Sequence, residues 1–340
     1  MKRWVKSAVL FILYYSGLEL LLARLIAPRA VAVLMYHGVC DQSTIPASIN
    51  FHLPRANFER QMRALKRRYP VVPLSRVVSS LAQGETLRKA VVVTFDDGYR
   101  NNARYAAPVL KRLGLPYAVF VATAYVESGR WIPLNQVYWL WSEGRMTQDE
   151  MAQTRKQLRS RQPGEAGPSV AHYAPLPPVS VAAEESFAML SWDEIREMAR
   201  AGAEFGSHTH THCNMAVASE REQETELMVS KQLLESKLGS AVSLFAYPYG
   251  HAEQMSETAR ANVIRAGYDC ALSAEYGLAT GRSDRFSLPR LGYNQRQWMF
   301  AGEILYQFMK QALKDRWAGW LGRPAPAKVS ATRQQGEHDA

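Results

Sequence analysis

The chain predicts an α/β fold, a (β/α) barrel, and three observations carry that reading. Short β-branched apolar runs alternate with helical stretches along most of the length, polar clusters follow the ends of those runs, and 340 residues with 47% hydrophobic content suffice for one large core. Continuous apolar runs read as strands buried on both faces, the habit of parallel sheets. In an α/β barrel the chemistry gathers where such strands end.

Residues 1–29 come first. Lys2, Arg3 and Lys6 precede an apolar stretch from Ala8 to Ala23 that only Ser16, Gly17 and Glu19 interrupt. The stretch is shorter than the roughly 20 residues that span a bilayer, and no small-residue cleavage site follows it. It reads as an uncleaved hydrophobic anchor or an in-plane interfacial helix drawn to anionic headgroups, with a helix docked on the domain's own core as the alternative. Basic residues ahead of it favour a cytoplasmic N-terminus and a periplasmic or otherwise extracytoplasmic barrel, while Arg24 and Arg29 beyond it pull the other way.

A domain over residues 30–296 follows. Val31 to Tyr36 is its first strand, ending at His37-Gly38; a helix from about Phe58 to Arg68 and a short strand from Val71 to Leu74 come next. Val91 to Phe95 is a strand, Asn102 to Leu113 a helix stopped by Gly114, and Tyr117 to Ala122 a strand, which is a β-α-β unit. Residues 130–189 break the rhythm with an aromatic patch (Trp131, Tyr138, Trp139, Trp141), a polar helix and a Pro/Gly-rich loop from Gln162 to Pro178. They read as an insertion, because that loop has no apolar core of its own.

Ser191 with Glu194, and Ser219 with Glu222, are capping boxes that open two helices, ended by Gly202 and Gly239. Strands are expected from Ala203 to Phe205, Val242 to Tyr247 and Tyr268 to Leu272, with a helix near Glu257 to Ala266. An amphipathic helix over 297–322 carries Trp298, Trp317 and Trp320 with Lys310, Lys314 and Arg316 on other faces, a pattern suited to a membrane interface or to packing on the barrel. Residues 323–340 read as a disordered tail.

The net charge of +10 allows nucleic acid, anionic membrane or acidic substrate as partner, but no nucleic-acid motif accompanies it. Cys40, Cys213 and Cys270 are widely spaced and form no CxxC, so neither a disulfide framework nor a cysteine metal site is expected.

The most telling residues are Asp96 and Asp97, which end the run Val91-Val92-Val93-Thr94-Phe95 and precede Gly98. Two crowded carboxylates are tolerable when one binds a cation and the other stays free to take a proton. Five of the eight histidines, His37, His208, His210, His212 and His251, follow expected strands. A helical turn would set His208 and His212 on one face, whereas an extended segment would add His210; Asp97 is the natural third ligand of a hydrolytic metal centre.

Thr94-Phe95-Asp96-Asp97-Gly98, His208-Thr209-His210-Thr211-His212 and, in part, Tyr247-Pro248-Tyr249-Gly250 match three motifs in order. On these the chain resembles the metal-dependent polysaccharide deacetylases with the NodB homology domain, over roughly Val31 to Tyr293. The resemblance implies Asp97, His208 and His212 as metal ligands, zinc as the expected ion with cobalt or nickel accepted, Asp96 as general base, and the Tyr249 backbone N–H as a donor to the developing oxyanion. Two departures stand out. The family's late histidine has no counterpart, since His338 lies in the tail; His37 resembles the early histidine of a permuted subgroup, the exopolysaccharide deacetylases acting on poly-N-acetylglucosamine, and is assigned as general acid. Ala246 stands where an arginine often orients the catalytic aspartate, and Arg290 is the candidate substitute.

The expected activity is removal of N-acetyl groups from hexosamine units of a surface polysaccharide or lipid-linked glycan. The expected partners are that N-acetylated glycan and a membrane surface, not nucleic acid. The alternatives are an O-acetyl ester deacetylase and an inactive glycan-binding or membrane scaffold protein.

Overall fold

The structure is a computed structural model that describes residues 3–41, 51–160 and 179–320. The expected loop at Gln162 to Pro178 and the tail at 323–340 lie outside the described residues.

In chain order the strands are β1 (Val31–Tyr36), β2 (Gly38–Cys40), β3 (His52–Pro54), β4 (Ala90–Phe95), β5 (Ala118–Val121), β6 (Glu204–Ser207), β7 (Leu244–Ala246), β8 (Cys270–Tyr276) and β9 (Leu288–Gly292). Among the described residues seven close a parallel barrel in the order β1-β4-β5-β6-β7-β8-β9, and β2 pairs with β3 beside it. The apolar runs make this possible because both faces of each strand are buried. Val31, Val33, Val92, Phe120, Leu272 and Leu288 fall in one cluster, while residues of the opposite parity, such as Leu34, Val91, Val93 and Val119, fall in another shared with the surrounding helices.

The helices are α1 (Arg3–Tyr15), α2 (Leu18–Leu25), α3 (Arg55–Arg68), α4 (Leu74–Ala82), α5 (Ala107–Leu113), α6 (Thr123–Ser128), α7 (Pro133–Ser142), α8 (Gln148–Arg159), α9 (Val181–Phe187), α10 (Trp192–Arg200), α11 (Glu220–Leu238), α12 (Glu257–Arg265) and α13 (Gln297–Trp320). α4 adds Leu74, Val77 and Val78 to the first cluster, and Glu204 at the start of β6 accepts its leading N–H groups, from Leu74 at 2.7 Å and Ser75 at 3.1 Å. Both expected capping boxes form, at Ser191 with Glu194 and Ser219 with Glu222.

Two expectations need correction. Val71 to Leu74 is not a strand: Val71 makes one isolated bridge to Val91, and Leu74 already belongs to α4 behind Pro73. The stretch from Asn102 to Ala106 is π-helical before α5 begins. In the segment between β5 and β6, Ile132, Val137, Trp139, Leu140, Met151 and Phe187 form a cluster with Tyr99, Ala122 and Met189.

Candidate active site

The barrel's register decides which side chains meet. β1 and β4 pair from Val31↔Ala90 to Tyr36↔Phe95, so His37 and Asp96 leave neighbouring strand ends, and the Asp96 N–H donates to the Tyr36 carbonyl at 2.9 Å. β5 and β6 pair as far as Val121↔Ser207, and the next N–H, of His208, donates to the Val121 carbonyl at 2.9 Å. Past an irregularity in β8, Tyr276 pairs with Arg290 of β9.

Asp96 and Arg290 are both buried and form a forked pair, Nη1 to Oδ1 at 2.8 Å and Nη2 to Oδ2 at 2.7 Å. The Arg290 Nε–H donates to the Ser273 carbonyl at 2.7 Å, which holds the guanidinium plane. Burial by itself would raise the Asp96 carboxyl, but the charge of Arg290, helped by His208 and His37, holds it below the ordinary carboxylate range.

One Asp97 oxygen, two imidazole nitrogens and nothing else make the second cluster. Asp97 Oδ1 lies 3.2 Å from His212 Nε2 and 3.6 Å from His208 Nε2, and the three donor atoms fall within 4.8 Å of one another, all buried. Burial pushes His208 down to about 4, so its ring is neutral. The His208 Nδ1–H donates to the Ala246 carbonyl at 2.7 Å, which leaves the Nε2 lone pair facing a carboxylate oxygen with no proton between them. Two acceptors so aimed repel, and a divalent cation between them resolves the conflict. The donor set therefore fits a metal, with N and O ligands of the kind zinc, cobalt and nickel accept.

The loop after β6 is not helical; a turn with Thr209 in the left-handed region brings His208 and His212 to 4.9 Å between ring centroids. His210 points elsewhere, its Nδ1 2.9 Å from Thr123 Oγ1. Among the described residues, four of the five non-glycine positions with positive φ are Asp97 (73°), Thr209 (62°), His212 (55°) and Tyr249 (62°). Such backbone strain collects at functional sites. Gly98 shares the conformation with φ 83°, and a Cβ there would meet Val121 Cγ1 at 2.8 Å.

A cavity of about 280 Å³ joins both clusters, lined by His37, Asp96, Asp97, His208, His212, Tyr249 and Arg290. His37 is half-buried there, with its ring edge-on to Phe51 at 6.0 Å. Tyr249 stands 5.1 Å from the His212 ring, and burial pushes its phenol well up. His251 lines the rim, 3.7 Å from Glu275. Sequence reasoning missed several wall residues. Tyr99 donates to Asn135 Oδ1 at 2.9 Å, and burial, then the Asp97 charge, raises its phenol well above its ordinary value. Its place right after Gly98 was a usable signal; Asn135, Tyr138 and Arg159 come from the segment between β5 and β6 and carried none. Also missed was Glu226 of α11, whose carboxylate accepts the N–H groups of His210 at 2.8 Å and Thr211 at 2.7 Å and the Thr211 hydroxyl at 2.7 Å.

Comparison with known proteins agrees with this architecture. The polysaccharide deacetylase family profile matches residues 83–271. YxkH of Bacillus subtilis (strain 168), which carries the polysaccharide deacetylase description, is 22% identical over 266 residues, 78% of this chain and 71% of that protein. Among solved structures, the Streptococcus pyogenes deacetylase PplD superposes with a TM-score of 0.59 at 21% identity, covering 83% of this chain and 99% of its own. IcaB from Ammonifex degensii gives 0.54 at 20% identity, over 81% and 97%. At these identities the two structures speak for the fold alone.

Proposed function

Because the chain belongs to the polysaccharide deacetylase family, we propose that it hydrolyses N-acetyl groups on the hexosamine units of a surface polysaccharide or lipid-linked glycan. Asp97, His208 and His212 would hold a divalent ion, zinc by preference. When bound, that ion supplies positive charge that polarises the acetyl carbonyl and acidifies water. Asp96 takes the proton from the attacking water, and the Arg290 fork keeps its carboxylate ionised and aimed. The Tyr249 N–H donates to the carbonyl oxygen as it gains charge.

One observation carries the choice of an amide: His37 enters the same cavity as Asp96, from the adjacent strand end. An amine leaves only when protonated, whereas an alcohol leaves an ester with far less help, so a second titratable group beside the base suits N-acetyl chemistry. O-deacetylation is the competing reading. Acetate release from a chitin oligomer but not from acetylated xylan is expected; the reverse preference overturns the amide assignment. Asp96→Asn is expected to retain metal while losing about a hundredfold or more in kcat, as loss of a general base does. His208→Ala should lose both. Full activity in metal-loaded Asp96→Asn would remove Asp96 as the base.

The same reading sets the enzyme on the extracytoplasmic side of a membrane, where surface glycans lie, with α1 and α2 on the lipid surface. Support comes from Lys2, Arg3 and Lys6 ahead of the apolar stretch, and from exposed apolar side chains on α1 and α2 such as Ile12, Leu21 and Leu25. Among the described residues no single helix is long and apolar enough to cross a membrane; α1 and α2 together pass that test but bend by 95° between them.

A further inference from the structure

The cavity wall opposite the barrel is cationic in a way the reaction does not use. The Arg159 guanidinium, at the end of α8, sits 5.1 Å from the centroid of the Tyr249 ring, and that of Arg155, one turn earlier, 5.5 Å from the centroid of Tyr138. Tyr138, Tyr249 and Arg159 all line the cavity that holds Asp97 and His212. The end of α8 is held in place, since Asn214, just beyond His212, donates its side-chain N–H to the Arg159 carbonyl at 2.7 Å.

Neither arginine has a carboxylate partner among the described residues. The Nε of each is buried without a hydrogen-bond acceptor, and Arg155 Nη1 lies 3.8 Å from the Met151 sulfur. The acids of the cavity are already committed, Asp96 to Arg290 and Asp97 to the two histidines. Planar, unpaired guanidinium groups stacked on aromatic rings are the usual means of binding carboxylate or phosphate oxygens.

Resting on the deacetylase reading, we infer that Arg159, seconded by Arg155, is an anion subsite, and that the acetylated sugar is presented with a negatively charged group beside it, a uronate carboxylate or a phosphate ester. The subsite sets specificity: it orients the glycan and takes no part in bond breaking.

The test measures binding, so that it stands apart from turnover. Tetrasaccharides in which a methylsulfonamide replaces each acetamide, and which the site cannot hydrolyse, are prepared in three forms: a neutral chitin-type oligomer, one alternating with glucuronate, and one ending in a phosphate monoester. Calorimetry on the metal-loaded wild type is expected to give at least one charged form an affinity about tenfold or more above the neutral form at low salt, the scale of one charge-assisted fork. Which charged form gains identifies the source of the anion. In Arg159→Gln the ratio should fall towards unity, and Arg159→Lys, keeping charge but not the fork, should fall between. Equal binding of all three forms by the wild type overturns the inference, even if acetate release from true substrates is intact. So does an unchanged ratio in Arg159→Gln with a lowered melting temperature, which would make the arginine a support for the end of α8. If the ratio behaves as expected while no acetate is released from any acetylated counterpart, the subsite stands and the deacetylase reading fails.

Discussion

At the residue scale, the Asp96–Arg290 pair is the costliest feature of the site and the easiest to test. Both groups are buried, so removing either leaves an uncompensated charge, at a cost of about 3–5 kcal/mol. Arg290→Ala is expected to lower the urea midpoint accordingly and to abolish acetate release; Arg290→Lys keeps the charge without the fork, and should refold with a kcat well below wild type. Unchanged activity in Arg290→Ala would show that Asp96 needs no such partner. His52 offers a separate test by pH. Burial, ahead of the nearby His37, lowers it to about 3. In the unfolded chain it titrates near 6.5, so between those values the unfolded state binds a proton the folded state refuses, and stability falls as pH drops below about 6.5, by at most about 1.4 kcal/mol per pH unit. Urea midpoints measured from pH 7 to pH 5 should therefore fall more steeply for wild type than for His52→Gln, and parallel curves would rule the histidine out as a source of acid sensitivity.

At the element scale, the loop after β6 shows how a helix can hold a strained turn. Glu226 of α11 receives three donors from His210 and Thr211, while Ser207 and Ser230 approach at 2.7 Å beneath them. Glu226→Ala leaves those half-buried donors without their acceptor, and metal affinity should weaken about tenfold or more in a chelator competition, as loss of a supporting contact does. Affinity equal to wild type would mean that the turn holds itself. Such a link could not be read from the chain, because Glu226 meets its partners only through the packing of α11 on the barrel. The legible parts were local: a capping box is read within four residues, and α11 runs from Ser219 to Gly239 as its caps dictate. Strand ends were read less well. Tyr117 to Ala122 and Val242 to Tyr247 shorten to Ala118–Val121 and Leu244–Ala246 because pairing with neighbours, not apolar character, decides where a barrel strand stops. β9 was not among the expected strands, although Arg290 was singled out, since Pro289 hides a strand in its sequence. Asp96, Asp97, His208 and His212 were visible because they stand in recognisable motifs at strand ends, whereas Tyr138, Asn135 and Arg159 reach the cavity from a segment with no motif.

At the scale of the whole molecule, the N-terminal helices join two kinds of surface. Glu19, which interrupts the apolar stretch, is buried and forked onto Arg68 of α3 at 2.7 and 2.8 Å, and Lys6 reaches Glu303 of α13 at 2.7 Å. Glu19 and Lys6 are thus spent on the protein, as are the buried Leu10 and Ala23, while most of the large apolar side chains here are left exposed. Of the sixteen large hydrophobic side chains exposed among the described residues, ten stand on α1, α2 and α13, Trp317 among them. A concentration of that kind on three adjoining helices marks an interaction face, and the excess of lysine and arginine in the chain suits an anionic one. Ile12 and Leu21, both exposed, report on it without touching the core. Burying each in an acyl boundary contributes roughly 1.5–3 kcal/mol, so Ile12→Glu combined with Leu21→Glu should cut co-sedimentation with phosphatidylglycerol vesicles by more than about tenfold. The melting temperature should hold within a few degrees, because neither side chain packs inside the protein, and acetate release from a soluble oligomer should persist. If the double variant partitions onto vesicles as the wild type does, the face binds something other than lipid, and the extracytoplasmic membrane assignment loses its physical support.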